Sequence, residues 1–277
     1  MRSIHINVFV FTTSMFLFLS CKGKPHPTGK NTDNKKDSIL QTFDLSLDLG
    51  KILDTGKLAK GEIVDISFDP YFERSVSYMG YNIKTIIDSI INTNPVDTKQ
   101  GIAIFECSDG YAPVMDISTI SGNAGGYITY RVRTEGNDTS TVKKEFKPFY
   151  LVWKNISPDD KNFAWPYDLT RIRLVSMTNS FGNIFPPENQ KLNNAFLLYR
   201  ETCMKCHSLN GIGGTLGPEF NIPKNITEYW SDDNIIEYAR NPADFRLNSR
   251  MPRIKGLSNE EFSEIIRYLK YVKEFKE

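Results

Sequence analysis

Two spacings of apolar residues divide the chain. From about Leu40 to Thr178 they come in short runs, "EIVDISF", "SVSYMGY", "GIAIFEC", "GGYITYRV", "FYLVW" and "TRIRLVSM". Such runs, rich in β-branched and aromatic residues and bounded by Gly, Pro, Asn and Asp, predict strands. One segment breaks the pattern: "YNIKTIIDSII" places Ile83, Ile86, Ile87 and Ile90 on one helical face. Residues 40–178 therefore predict an α+β domain with a mixed or antiparallel sheet. Beyond a linker at 179–186 the period becomes helical. Leu192, Ala195, Phe196 and Tyr199 form one stripe, and Phe262, Ile265, Ile266, Leu269 and Val272 form another. Ser231 stands where it can cap a short helix, and Ser258 with Glu261 forms a capping box ahead of the last one. A second, helical domain over 187–277 is expected.

The first residues follow neither pattern. An apolar run from Ile6 to Leu19, preceded by Arg2, is short for a membrane span and suits the core of a secretory signal. It ends at Ser20-Cys21, which resembles the lipobox of bacterial lipoproteins, although Phe18 stands where Leu is usual. The resemblance implies cleavage after a signal at 1–21, lipidation of Cys21 and a periplasmic protein anchored to a membrane. Lys22, in place of Asp, favours the outer membrane by the same analogy. An ordinary signal peptide or an N-terminal anchor helix are the alternatives, and each exports the rest of the chain. Residues 22–39, "KGKPHPTGKNTDNKKDS" and its end, carry almost nothing to bury and read as a disordered tether.

Net charge is +1, which gives no overall basic field for nucleic acid, so none is expected as a partner. The chain has 4 cysteines and 3 histidines. His5 falls in the signal and His26 in the tether, so the globular part owns His207 alone. It directly follows the second cysteine of Cys203-Met-Lys-Cys206. A structural zinc site would have to recruit the distant Cys107 to complete its ligands. A thioredoxin-type redox pair expects a βαβ setting and has no use for the histidine. A nucleophilic Cys-His or Ser-His-Asp site would have to use His207 itself. The C-x-x-C-H spacing uses all three residues at once for a c-type haem: two thiols for the vinyl groups and an imidazole for the iron. A structural disulfide is the remaining alternative.

The surroundings extend that match. The helix "ENQKLNNAFLLYRETCMKCH", the glycine-rich "SLNGIGGTLGPEFN" and the closing "RMPRIKGLSNEEFSEIIRYLKYVKEF" together resemble a class I cytochrome c domain over 187–277. The resemblance implies one covalent haem c held by Cys203 and Cys206, with His207 as the proximal ligand. It makes Met251, before Pro252, the second axial ligand, and Pro218 the carbonyl that fixes the imidazole. Met204, inside the attachment loop, and Met177, ahead of the domain, are poor rivals; a core methionine with an open or Lys-ligated iron is the alternative. Arg246, Arg250, Arg253 and Lys255 surround Met251 with no acidic residue among them. They read either as solvated or propionate-binding side chains, or as a basic rim that steers an acidic redox partner.

In the first domain, "DPYFERSVSYMGYNIKTII", "CSDGYAPVM", "KPFYLVW" and "WPYDLTRIRL" resemble the molybdopterin-binding fold of sulfite-oxidase-type enzymes, and more so a degenerate version fused to cytochrome c. The family binds molybdenum through a cysteine ahead of a helix; the corresponding stretch, 64–80, has none. Cys107 falls on the next strand and reads as a small buried hydrophobe. The arginines Arg74, Arg131, Arg133, Arg171 and Arg173 are scattered, and the aromatics Tyr71, Phe72, Phe149, Tyr150, Trp153, Trp165 and Tyr167 read as core, with a partner surface as the alternative for a few of them.

Together these features predict an exported, membrane-tethered electron carrier whose first domain docks it, without a cofactor of its own, against a dehydrogenase or an oxidase. The rival readings are a molybdenum-dependent, sulfite-dehydrogenase-like oxidoreductase with a fused haem domain, and a gas or peroxide sensor with an open iron.

Overall fold

The computed structural model describes residues 43–54, 61–94, 96–123, 125–133, 145–186 and 189–276. The expected signal, Cys21 and the tether lie outside the described residues. Among those described, no helix is long and apolar enough to cross a membrane.

The first domain is mostly β. Its strands are β1 (Asp44–Asp48), β2 (Glu62–Asp69), β3 (Arg74–Asn82), β4 (Gly101–Cys107), β5 (Val114–Asp116), β6 (Gly126–Arg133), β7 (Glu145–Trp153) and β8 (Leu169–Ser176). They run in the order β2-β3-β6-β7-β8-β4-β5, with β1 also against β8, and every described pairing is antiparallel. β7 meets β8 at Phe149 opposite Leu169. Register shifts at Ile66/Asp69, Met79/Gly80, Thr129/Arg131 and Glu106/Cys107 bend the strands, and the sheet curls into a half-barrel. The expected strands are present and purely antiparallel. The unexpected ones are β1 and β5, both short.

Three helices accompany the sheet: α1 (Leu49–Asp54), α2 (Ile83–Ile91) and α3 (Ile117–Ser121). The side chain of Asn82 accepts from the Thr85 N–H and starts α2, which buries Ile83, Ile87 and Ile90. These pack with Ile117 and Ile120 of α3 on Ala103, Phe105, Ile128, Leu151 and Leu174. A second cluster, Val64, Ile66, Val76, Tyr78, Tyr150 and Val152, fills the other wing. At its end the buried Asp69 carboxylate accepts from the Tyr78 hydroxyl at 2.7 Å and from the Tyr71 and Phe72 amides at 2.9 Å each. Those bonds satisfy a carboxylate that would otherwise be costly to bury. Of the aromatics singled out in the sequence, Tyr71 lies outside the core. It is exposed, because it sits on the β2–β3 turn, and it stacks on Tyr167 with ring centroids 4.1 Å apart.

The helical domain contains α5 (Gln190–Thr202), α6 (Asp232–Arg240), α7 (Pro242–Phe245) and α8 (Asn259–Val272), and α4 (Met177–Phe181) leads into it from β8. Ser231 and Ser258 cap α6 and α8, the latter in a full capping box with Glu261. The stripes of α5 and α8 meet: Ala195, Phe196 and Tyr199 pack with Ile265, Tyr268, Leu269 and Val272. Ile102 of β4 and Val175 of β8 belong to the same cluster, so sheet and helices share a core. Residues 179–186 take part too. Phe181 and Ile184 are buried there, and the Tyr268 hydroxyl donates to the Ile184 carbonyl at 2.7 Å.

Candidate functional site

Helix α5 delivers the chain to the Cys203–His207 loop without a break. The amides of Cys203 and Met204 both donate to the Tyr199 carbonyl, and those of Cys206 and His207 to the Cys203 carbonyl, at 2.8 to 3.0 Å. The turn brings both cysteines and the histidine onto one compact loop. Tyr199, fully buried, returns through its hydroxyl to the His207 carbonyl at 3.0 Å. Met204 points into the shared core and is fully buried. From the far side, the Gly214 amide donates to the Met204 carbonyl and the Gly217 amide to the Cys206 carbonyl, each at 2.7 Å.

His207 is held on several sides. Its Nδ1 lies 2.8 Å from the Pro218 carbonyl oxygen. A carbonyl can only accept, so Nδ1 carries the proton and Nε2 keeps its lone pair. The ring stacks on Phe220 with centroids 4.0 Å apart. A Cβ at position 217 would lie 2.3 Å from His207 Cε1, so only glycine lets the chain pass this close. Burial pulls the imidazole below its ordinary pKa, against the opposing pull of the Pro218 bond, which favours the neutral, ligating form. Both cysteines are free thiols. Burial pushes Cys203 up to about 12 and raises Cys206 as well, with Lys205 opposing both.

The structure joins Cys203, Cys206, His207 and Pro218 into one hydrogen-bonded unit. Met251 stands on the segment between α7 and α8. Its amide donates to the Ser249 hydroxyl at 3.3 Å, that hydroxyl lies 3.5 Å from the Tyr238 hydroxyl on α6, and Ile254 donates to the Ala239 carbonyl. Met251 is half-buried and belongs to none of the hydrophobic clusters among the described residues. Arg246, Arg250, Arg253 and Lys255 are all exposed, and among the described residues none joins an ion pair. Phe245, at the end of α7, and Leu247, just after it, are exposed, Leu247 at 87%.

This donor set fits a covalent haem. Two unpaired thiols sit on a fixed loop, beside an imidazole whose outer nitrogen a backbone carbonyl leaves open. Among the described residues there is no cluster of three or more His, Cys, Asp or Glu able to hold a bare metal ion. Sequence reasoning missed two contributors. Tyr199 read only as helix packing, yet it also anchors the His207 carbonyl. Phe220 passed unremarked, two residues after Pro218 in a loop whose path the sequence does not give.

Fold and site define the class of the second domain: it is a c-type cytochrome domain, and so implies haem-based electron transfer. Residues 190–269 match the family model described as cytochrome c oxidase, cbb3-type, subunit III. The match starts beyond the sheet domain. No curated protein and no solved structure matches the chain.

Proposed function

We propose that this protein is an exported, membrane-tethered c-type cytochrome that passes single electrons to and from protein partners of a respiratory chain. The observation that carries the reading is the His207 Nδ1 to Pro218 carbonyl contact of 2.8 Å beside two free thiols. In this reading Cys203 and Cys206 hold the porphyrin by thioether bonds, His207 Nε2 is one axial ligand and Met251 the other. Haem supplies a one-electron ferric/ferrous couple when bound. The protein's own part is to keep His207 neutral and oriented, to keep water from the buried side of the loop, and to leave an exposed edge for transfer. Met251 suits a ligand better than a core methionine, because it is half-buried and joins no hydrophobic cluster among the described residues. A thioether ligand favours the ferrous state and raises the potential.

The partner class follows from the family to which residues 190–269 are similar, whose described member is an oxidase subunit. The exposed, unpaired basic residues around Met251 favour an acidic docking surface on that partner. Export, lipidation of Cys21 and an outer-membrane location rest on residues 1–21 alone. We read the domain boundaries as 40–178 and 187–277 around the 179–186 join.

The second reading, a molybdenum enzyme, has one feature in its favour. Cys107 lines a cavity of about 430 Å3 together with Arg173 and Tyr111. Burial raises the Cys107 thiol well above its ordinary pKa, with Asp109 and Asp168 adding to the shift, which disfavours the thiolate a metal requires. We therefore read the sheet domain as a scaffold related to the molybdopterin-binding fold but without the cofactor.

Metal analysis of protein matured in a competent periplasm, combined with carbon monoxide titration, tests the choice. Iron near one equivalent without molybdenum, and a ferrous form inert to carbon monoxide until Met251→Ala opens it, is the expected result. Stoichiometric molybdenum would establish the enzyme. Carbon monoxide binding by the unaltered ferrous protein would remove Met251 as a ligand and favour the sensor.

A further inference from the structure

The segment "CSDGYAPVM" of the first domain is not used by the cytochrome site as described so far. In the structure it is in direct contact with that site. The turn after β4 is closed by Gly110 donating to the Cys107 carbonyl, Cys107 donating to the Tyr111 carbonyl and Tyr111 donating to the Asp109 carboxylate. It is bonded through backbone once to the attachment loop and once to the glycine-rich loop that follows. The Ala112 amide donates to the carbonyl of Lys205, between the two motif cysteines, at 2.8 Å. The Thr215 amide donates to the Gly110 carbonyl, also at 2.8 Å.

The fit is close enough to dictate a residue type. Gly110 has φ +91°, and a Cβ there would lie 2.4 Å from the Thr215 hydroxyl oxygen and 3.1 Å from the Leu216 amide. Next to it, Tyr111 is half-buried, and burial raises its phenol, with Cys206 and then Cys107 adding to the shift. Tyr111 also lines one cavity with Met204 of the attachment loop. A third link stands one turn before the motif. Arg200 of α5, 6% exposed, pairs with Asp116 at the end of β5 at 2.9 Å.

We propose that the 109–112 turn is a clamp on the haem attachment loop, and that Tyr111 is a positioning residue that helps set the haem's reduction potential by keeping water from that loop. The inference rests on the cytochrome reading above and adds to it a role for the first domain. The physical ground is simple. The oxidised haem carries one more positive charge than the reduced one, and water stabilises that charge. A ring seated beside the attachment loop takes the place of that water and raises the potential. The clamp also fixes the Lys205 carbonyl, between the two cysteines that would hold the haem.

Two measurements test this on the full chain. In the unaltered protein, hydrogen exchange at the Ala112 and Thr215 amides should be as slow as in β4 and β8, although both lie in loops. Exchange at the rate of an open loop would overturn the clamp. In haem-loaded protein, Tyr111→Ala should shift the midpoint potential negative, Tyr111→Leu should shift it less in the same direction, and Tyr111→Phe should leave it in place. Folded, coloured Tyr111→Ala protein with the parental potential would overturn the assignment. If Tyr111→Ala does not fold, Tyr111→Leu decides in its place, and a parental potential there has the same consequence. A colourless parent would instead sink the cytochrome reading, which keeps the two failures distinct.

Discussion

Pro218 does for His207 what a carboxylate does in many metal sites: it accepts the Nδ1 proton and so decides which nitrogen stays open. The geometry leaves little tolerance around that ring. Gly217→Ala would put a methyl group where His207 Cε1 needs the space. The expected outcome is a large loss of haem incorporation, read as the ratio of haem absorbance to protein, with whatever haem is retained showing perturbed axial-ligand bands. A parental ratio would mean that the ring moves aside freely. In the sheet domain, the Asp69 carboxylate accepts from two turn amides and the buried Tyr78 hydroxyl. Asp69→Ala leaves those donors without it and should cost about 2–3 kcal/mol of unfolding free energy in a denaturant titration. A loss below about 0.5 kcal/mol would mean that the turn repacks around the change.

Among the elements, α8 was the most legible in the sequence. Ser258 and Glu261 bracket a stripe that lands in the core, and the cap is formed on both sides. Ser258→Ala removes one half of that box and should lower stability by about 1 kcal/mol, measured as a shift in thermal midpoint. No shift would mean that the first turn of α8 is held by tertiary packing alone. The strands with several apolar or aromatic residues were equally readable. β1, "DLSLD", was not: only Leu45 and Leu47 alternate, and what makes it a strand is the unpaired edge of β8 beside it. β5 has only three residues and owes its place to β4. The attachment loop was legible because covalent chemistry demands a fixed spacing of Cys203, Cys206 and His207. The ring contact with Phe220 and the seat of Tyr111 depend on where two distant segments come to rest, which no local pattern records.

At the scale of the whole molecule, the sheet and the helices are tied at four kinds of contact. They share the cluster holding Ile102, Val175, Phe196 and Tyr268. The 109–112 turn is bonded to the attachment loop. Arg200 is paired with Asp116. Lys161 reaches the Gly256 carbonyl, on the segment that carries Met251, at 3.5 Å. Elements so joined should unfold together, so tryptophan fluorescence and haem absorbance should report coincident denaturant transitions. Two separated transitions would show that the domains are energetically independent. Asp116→Ala should destabilise both transitions alike, by about 1–2 kcal/mol, since it leaves the buried Arg200 guanidinium with Glu201, at 3.7 Å, as its remaining ion-pair partner.

The central claim is that Cys203 and Cys206 carry a haem through covalent bonds. The most direct test is to express the full chain in a host that matures c-type cytochromes, denature it fully, and assay the separated polypeptide for haem by peroxidase staining and intact mass. The account predicts a stained band whose mass exceeds that of the mature polypeptide by one haem, and loss of both in the Cys203→Ala, Cys206→Ala double variant. An unstained polypeptide of unmodified mass, with both thiols free or oxidised to each other, would contradict it.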